Sequence, residues 1–171
     1  MSRICSMHDR DSVYSIPEEM RKASLDREIL SMLSLHDRVD PVHEDAARVK
    51  WTDFSTNLSA PRSRSIKLGI AGKYAALRDA YASIDKAVEH AGIHLNCRIE
   101  TEWIDTTEIA TADDAAATLG DMDAIIVPGG FGVRGVEGKI RCVEYARTQG
   151  VPFLGICLGF QVAVIEFARN A

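Results

Sequence analysis

A cysteine between two glycines is the feature of this sequence best suited to covalent chemistry. Cys157 lies in a G-x-C-x-G pattern that follows a short apolar run and precedes a helix-like segment. Flanking glycines let the backbone turn sharply from strand to helix, and a thiol at a helix N-terminus is stabilised as the thiolate that attacks acyl carbons. A cysteine taken alone is more often a small buried hydrophobic residue. Its position between two glycines favours an exposed nucleophile at residue 157.

The other three cysteines show no comparable pattern. Cys5, Cys97 and Cys142 lie in strand-like or helix-like runs without flanking glycines, so we expect them to be ordinary apolar residues. The four cysteines contain no C-x-x-C pair and no regular spacing, which excludes the usual zinc sites and disulfide frameworks. We therefore predict no metal site and a reducing, cytoplasmic location.

Length and charge narrow the class of protein. The chain has 171 residues and a formal net charge of −5, which argues against a general nucleic-acid surface. No uninterrupted apolar run approaches the ~18 residues that a membrane span requires. These features predict a soluble protein that binds neither nucleic acid nor membrane.

A polar stretch at residues 59–65 divides the chain into two unlike parts. Residues 1–58 favour helices, with predicted starts at Pro17 and after a capping Ser24, and a third helix carrying Trp51 and Phe54 on one face. This part has hardly any strand pattern, so its helices need something else to pack against.

Residues 66–171 alternate between strand and helix patterns. The predicted strands are 66–71, 95–103, 124–127 and 153–156, and the predicted helices are 79–91, closed by Gly92, 113–119, 136–149 and 158–169. Alternation of this kind predicts an α/β fold with a doubly wound, mostly parallel sheet. Active sites in such sheets gather at the carboxyl ends of the strands, where Cys157 would lie.

A glycine-rich turn, residues 128–135, follows the predicted third strand and should open on the same edge of the sheet as Cys157. Thiolate attack on an amide produces an oxyanion that needs two preorganised donors. The N–H groups of Gly130 and Leu158 are suited to that task. Taken alone, the G-G-x-G pattern is weak and also fits a plain turn or a phosphate nest.

Four segments together resemble the CTP synthase family of class I glutamine amidotransferases. The segments are DRDSVYSIP at 9–17, GKYAALRDAY at 72–81, PGGFGVRGVEGK at 128–139 and GICLGFQVAVIEFARN at 155–170. The resemblance covers nearly the whole chain. It implies that residues 1–58 are the C-terminal tail of a synthase domain, that 59–65 are a linker, and that 66–171 are the N-terminal part of an amidotransferase domain whose α/β sheet is incomplete here.

The resemblance also implies an activity and partners. Members of this family hydrolyse L-glutamine and pass the ammonia to a synthase domain that aminates ATP-activated UTP, in pyrimidine biosynthesis. ATP and Mg²⁺ serve the full-length enzyme, GTP activates it, and it forms a homotetramer. The phosphate-binding loop and acidic Mg²⁺ ligands lie near the family's N-terminus, so we expect no cofactor in this chain.

Individual roles follow by the same resemblance. Cys157 matches the nucleophile that forms a γ-glutamyl thioester, and Gly130 and Leu158 match the oxyanion donors. The residues that match ligand contacts are Gln161 and Phe131 for glutamine, Arg134 in a GTP-responsive lid at 132–138, and Asp9 near the adenine of ATP. Phe160 replaces a methionine common in the family, an exchange that should alter packing and not chemistry.

The family's general base and its orienting partner are a histidine and a glutamate near its own C-terminus. After Cys157 the chain has Glu166 but no histidine, and the five histidines all lie upstream. We expect the chain to be a fragment of a CTP synthase that is inactive alone. Two alternatives remain open at this point: another class I amidotransferase or cysteine hydrolase, and a non-catalytic remnant that binds glutamine.

Overall fold

A computed structural model describes residues 4, 6, 8–10, 12–58, 60–73 and 78–171. Contacts divide the chain into two compact units, Met1–Pro61 and Arg62–Ala171. This division falls within the predicted polar linker, although the first strand of the second unit already begins at Arg64. Cys5 and residues 74–77 of the GKYAALRDAY segment lie outside the described residues. The assignment of the first unit to a synthase domain stays a prediction.

The first unit is helical. Its helices are α1 (Ile16–Lys22), α2 (Leu25–Met32) and α3 (Pro41–Asn57). The Asp40 side chain caps α3 by accepting hydrogen bonds from the N–H groups of Val42 and His43. Ser24 precedes α2 in a left-handed conformation with φ 57° and makes no capping hydrogen bond. The predicted cap at Ser24 is therefore wrong.

An aromatic cluster holds this unit together. The rings of Tyr14 and Phe54 meet edge to face with centroids 5.2 Å apart, and the Trp51 indole N–H donates to the Tyr14 carbonyl at 2.9 Å. Tyr14 is the only buried apolar side chain among the described residues of the unit. The core of the first unit is therefore small.

The second unit is an α/β sheet. Its strands are β1 (Arg64–Gly72), β2 (Cys97–Asp105), β3 (Ala124–Val127) and β4 (Phe153–Gly155), and its helices are α4 (Ala82–His94), α5 (Ala112–Leu119), α6 (Val136–Gln149) and α7 (Leu158–Asn170). The strand order is β2-β1-β3-β4 and every pairing is parallel. This confirms the predicted fold class. The strand order reverses between β1 and β3, so the loops after these strands flank the position where α/β sheets bind ligands.

Gly92 does not end α4, contrary to the sequence prediction. The helix continues to His94, and the chain reverses at Asn96 with φ 50°. A Cβ at Gly92 would lie 2.8 Å from the Cys97 carbonyl oxygen. Glycine is present because α4 passes close to the start of β2, and not because the helix terminates there.

A single apolar cluster lies between the sheet and the helices α5, α6 and α7. It includes Ile125 and Val127 of β3, Leu119 of α5, Cys142 of α6 and Val162 of α7, all at most 1% exposed. Burial of these side chains fixes α6 and α7 against the two strands that precede the glycine-rich turn and Cys157.

A buried ion pair joins α6 to α7. Glu166 on α7 is fully buried, and its carboxylate accepts hydrogen bonds from Arg147 of α6 at 2.7 and 2.9 Å and from the Asn170 amide at 3.2 Å. The hydrogen bonds from Arg147 are the largest influence on the pKa of Glu166 and lower it from its ordinary value of 4.5, although burial opposes them.

Replacing Glu166 with glutamine is expected to lower the free energy of unfolding of the second unit at neutral pH by about 1–2 kcal/mol. The figure is modest because the Arg147 side chain stays 35% exposed and keeps part of its hydration. A lowered folded-state pKa stabilises the fold above pH 4.5, and this contribution is lost as the pH falls through the folded-state pKa. The two proteins should therefore converge in stability in acid.

Urea unfolding at a series of pH values measures this, with Trp103 fluorescence as the probe in a Trp51→Phe background. Glu137→Gln is the matched control, because the Glu137–Arg169 pair also joins α6 to α7 but is exposed. It should change stability by less than about 0.5 kcal/mol. Equal effects of the two substitutions would show that the buried Glu166–Arg147 pair stabilises the fold no more than the exposed Glu137–Arg169 pair.

Candidate active site

Cys157 lies at a sharp turn between β4 and α7. Its φ is 53° and its ψ is −111°, the N-cap position of α7. A residue other than glycine held at such angles carries roughly 1–3 kcal/mol of backbone strain, a feature concentrated at functional sites. The side chain is exposed. The structure thus holds the thiol in a strained turn at the first N–H groups of a helix.

Two glycines make this turn sterically possible. A Cβ at Gly159 would lie 1.8 Å from the Val127 carbonyl oxygen, and one at Gly155 would lie 2.7 Å from the Gly159 carbonyl carbon. Neither glycine has a positive φ; in this turn it is Cys157 that has one. The glycines are therefore required because α7 begins in contact with β3 and β4, and the cysteine carries the strain.

The glycine-rich turn after β3 reaches the same point. A Cβ at Gly129 would lie 3.3 Å from Cys157 Cβ and 3.8 Å from its sulfur. The Ile156 N–H donates to the Val127 carbonyl at 3.0 Å, which fixes the two loops relative to each other. Within the described part of the chain, no backbone hydrogen bond uses the N–H of Gly130 or of Leu158. The assignment of these two groups as oxyanion donors stays a prediction.

The other described cysteines differ sharply from Cys157. Cys97 and Cys142 are buried, as predicted. Burial raises the pKa of Cys142 to about 12, so its thiol stays protonated near neutral pH. Cys157 is the only exposed cysteine among the residues that the structure describes.

Two lysines contact the glycine-rich turn. Lys139 on α6 is 1% exposed, and its ammonium group donates to the Pro128 carbonyl at 2.9 Å and to the Gly129 carbonyl at 3.4 Å. Lys73, at the end of β1, donates to the carbonyl of Phe131. Sequence reasoning missed both contacts. Lys73 lies in the segment 72–81 and Lys139 in the segment 128–139, but no sequence pattern indicates that their ammonium groups point toward the glycine-rich turn.

The remaining predicted site residues are placed as follows. The Gln161 N–H donates to the Cys157 carbonyl at 3.1 Å, so Gln161 stands one helical turn beyond the nucleophile. Phe131 is 87% exposed, and Arg134 lines a groove of about 350 Å³ together with Thr106 and Val133. Asp9 is exposed in the first unit. Their ligand contacts stay predictions.

The predicted lid at 132–138 is only partly a loop. Gly132 and Gly135 have φ values of 79° and 74°. Residues 136–138 form the first turn of α6. A Cβ at Gly138 would lie 1.9 Å from the Thr106 carbonyl oxygen, so this turn packs tightly against the loop after β2.

The two described histidines of the second unit lie away from Cys157. His90 and His94 are exposed on α4, which packs on β2 at the edge of the sheet away from β4. No group of three or more potential metal ligands occurs among the described residues. Nor does the described part of the chain contain a helix that is long and apolar enough to cross a membrane.

The site geometry agrees with comparisons to known proteins. Residues 76–171 match the family model "Glutamine amidotransferase class-I". The chain belongs to this family. The turn at Cys157, the glycine-rich turn and α7 all lie within the matched residues.

The curated relatives of this amidotransferase chain include CTP synthases. That of Archaeoglobus fulgidus is 42% identical over 167 residues, covering 98% of this chain and 29% of the relative. That of Deinococcus radiodurans is 39% identical over 174 residues, covering 99% and 30%. The chain thus spans less than a third of the length of these relatives.

A solved structure is also similar. The Trypanosoma brucei CTPS glutaminase domain with bound acivicin has 40% sequence identity and a TM-score of 0.59. The match covers 62% of this chain and 41% of that one. It supports the parallel four-stranded sheet with flanking helices described above.

Proposed function

We propose that the second unit provides the nucleophile and oxyanion donors of a glutamine-hydrolysing site in a CTP synthase. The proposal depends on one observation: the strained, exposed Cys157 lies against the glycine-rich turn. A Cβ placed on Gly129 would lie 3.3 Å from the Cβ of Cys157. Similarity to CTP synthases over nearly the whole chain supports the proposal that the site belongs to a CTP synthase.

The proposed reaction begins with the Cys157 thiolate and the γ-amide of L-glutamine. The sulfur forms a bond to the amide carbon, and the carbonyl electron pair moves to the oxygen. The N–H groups of Gly130 and Leu158 would stabilise this oxyanion. Neither is used by a backbone hydrogen bond of the described residues, Leu158 directly follows Cys157, and Gly130 follows Gly129, where a Cβ would lie 3.3 Å from the Cys157 Cβ. Collapse expels ammonia after the leaving nitrogen takes a proton from water, and it leaves a γ-glutamyl thioester for hydrolysis.

A general base is needed for turnover. His90 and His94 lie on the helix that packs on β2, away from the strand that carries Cys157. We therefore propose that the 171-residue chain alone accepts an acyl group but does not turn over glutamine. Continued ammonia release beyond one equivalent per chain, above that of a Cys157→Ala variant, would contradict this proposal.

The ligand contacts proposed for the same site are Gln161 and Phe131 for glutamine. Arg134 contacts GTP, which acts as activator, and Asp9 of the first unit contacts ATP. The whole protein would make CTP from UTP, ATP and ammonia as a cytoplasmic homotetramer. These assignments rest on the resemblance and on similarity to CTP synthases.

The test uses acivicin, an amino acid with an electrophilic, chlorine-bearing carbon and the ligand of the similar trypanosomal structure. The full chain, with Cys5→Ser, is incubated with acivicin and digested for peptide mass spectrometry. We expect one adduct per chain at Cys157, with L-glutamine slowing its formation. Cys97 and Cys142 act as internal controls because both are buried.

Each outcome distinguishes a class of function. Labelling of Cys157 without protection by glutamine would indicate a cysteine hydrolase of another specificity. Protection by glutamine from iodoacetamide, without labelling by acivicin, would indicate a non-catalytic glutamine-binding protein. Either result would overturn the proposal.

A further inference from the structure

Lys139 is a buried cation that the proposed reaction does not use. It lies one turn into α6, with 1% of its surface exposed, and its ammonium group donates to two successive carbonyls of the glycine-rich turn, those of Pro128 and Gly129. Burial lowers the pKa of Lys139, and the neighbouring charge of Lys73 lowers it further. A buried ammonium group is costly, so its retention here calls for a reason beyond packing.

The geometry of the peptide bond links Lys139 to the oxyanion donor. The structure has no cis peptide bonds among its described residues, and in a planar trans peptide the C=O and the N–H point in opposite directions. The carbonyl of Gly129 and the N–H of Gly130 belong to the same peptide. A donor that holds the Gly129 oxygen on one side therefore directs the Gly130 N–H to the other side.

The contact to Pro128 strengthens this constraint. At 2.9 Å it is a well-formed hydrogen bond, whereas the contact to Gly129 at 3.4 Å is longer and weaker. Together they fix two adjacent peptides in a segment where glycines permit rotation. Gly130 itself has room, because a Cβ there would lie 3.6 Å from the Lys139 nitrogen. Both hydrogen bonds come from the single ammonium group of Lys139, so its removal frees both peptides of this constraint.

We propose that Lys139 is a positioning residue that orients the Gly129–Gly130 peptide so that the Gly130 N–H faces the oxyanion formed at Cys157. This inference rests on the proposed function, since it needs an acyl-transfer reaction. It adds a residue that acts through the backbone and does not touch the substrate. Lys73 is distinct, because its contact is to the carbonyl of Phe131, whose peptide contains the N–H of Gly132.

The test compares two reactions of the same sulfur. The γ-p-nitrophenyl ester of L-glutamate acylates the thiolate through an oxyanion and expels p-nitrophenolate, which needs no protonation to leave. Iodoacetamide alkylates the sulfur by displacing iodide from a saturated carbon, with no oxyanion. The ratio of the two rate constants at Cys157 in the full chain, with Cys5→Ser, reports the oxyanion donors separately from thiol reactivity and folding.

We expect Lys139→Met to lower this ratio about 10- to 100-fold, since loss of one oxyanion donor costs about 10²–10³ in rate and misalignment costs less. Lys139→Gln, whose amide is too short to reach the Pro128 oxygen, should lower the ratio similarly. If Lys139→Met shows no cooperative thermal transition, the rate ratio of Lys139→Gln tests the inference instead. An unchanged ratio in a folded variant would overturn the inference.

Lys73→Met is the matched control. It removes a neighbouring positive charge and a contact to the same turn, but leaves the Gly129–Gly130 peptide held by Lys139. Its ratio should stay within about threefold of that of the parent chain, because the donor directed by Lys139 is unchanged. If the ratio falls as far in Lys73→Met as in Lys139→Met, the effect comes from positive charge. That result would contradict the proposed orientation of the Gly129–Gly130 peptide by Lys139. Absence of any acylation in the parent chain would instead refute the proposed function.

Discussion

Replacing Cys157 with alanine is expected to abolish the stoichiometric release of p-nitrophenolate from the γ-p-nitrophenyl ester of L-glutamate. Cys157 is the only exposed cysteine of the described residues, and it lies in a strained turn with φ 53° at the N-terminus of α7. Without the sulfur no thioester can form, so the burst should fall to the rate of spontaneous ester hydrolysis. A stopped-flow absorbance measurement with ester in excess over the chain records the burst amplitude per chain.

Cys142→Ala is the control for this experiment. It also removes one sulfur, but from a fully buried position where burial raises the thiol pKa to about 12. Its burst amplitude should equal that of the parent chain, even if the small cavity lowers stability by about 1 kcal/mol. A burst that survives in the Cys157→Ala variant would assign the nucleophile to another residue.

Replacing Gly159 with alanine is expected to destroy the cooperative folding of the second unit. The added Cβ would lie 1.8 Å from the Val127 carbonyl oxygen and 2.7 Å from its carbonyl carbon, both backbone atoms of β3. Since no flexible side chain can move aside, α7 must separate from the sheet. We expect a loss on the order of 4 kcal/mol or more, a large part of the stability of a typical domain.

Thermal unfolding followed by Trp103 fluorescence in a Trp51→Phe background measures this loss. Gly150→Ala is the control, because its Cβ would meet nothing within 4 Å although its φ is 70°. Only the left-handed backbone is strained there, at about 1–2 kcal/mol. If both variants unfold at similar temperatures, close contact with β3 does not explain the glycine at 159.

Sequence periodicity predicted the second unit well for a physical reason. β3 is a short apolar run between Asp123 and Pro128, and α6 is followed by Gly150, so these two elements occur at 124–127 and 136–149 as predicted. Parallel pairing followed from the alternation of strands and helices. The order in which the strands lie in the sheet required the structure.

Details that depend on close approach could not be predicted. Gly92 was interpreted as a helix end because glycine commonly ends helices, yet it serves the contact between α4 and the Cys97 carbonyl. Ser24 has the residue type of a cap but a left-handed backbone that prevents capping. Both errors arise because one residue type serves a local and a tertiary role, and only packing decides between them.

The candidate site shows the same limit. The position of Cys157 between glycines was sufficient to predict a sharp turn with an exposed thiol, because a local pattern specifies it. Its role as nucleophile stays a prediction. The same reasoning did not predict the role of Lys139, because a lysine on a helix is usually solvated. Its burial depends on where α6 meets the glycine-rich turn. Polar residues that act on the backbone leave little trace in a sequence pattern.

The most direct test of the proposed chemistry is the intact mass of the chain after acid quench of its reaction with the γ-p-nitrophenyl ester of L-glutamate. A mass increase of one glutamyl group, mapped to the peptide that contains Cys157 and removed by hydroxylamine, is the predicted thioester. An unmodified chain, or an adduct that persists in the Cys157→Ala variant, would contradict the assignment of Cys157 as the acyl acceptor.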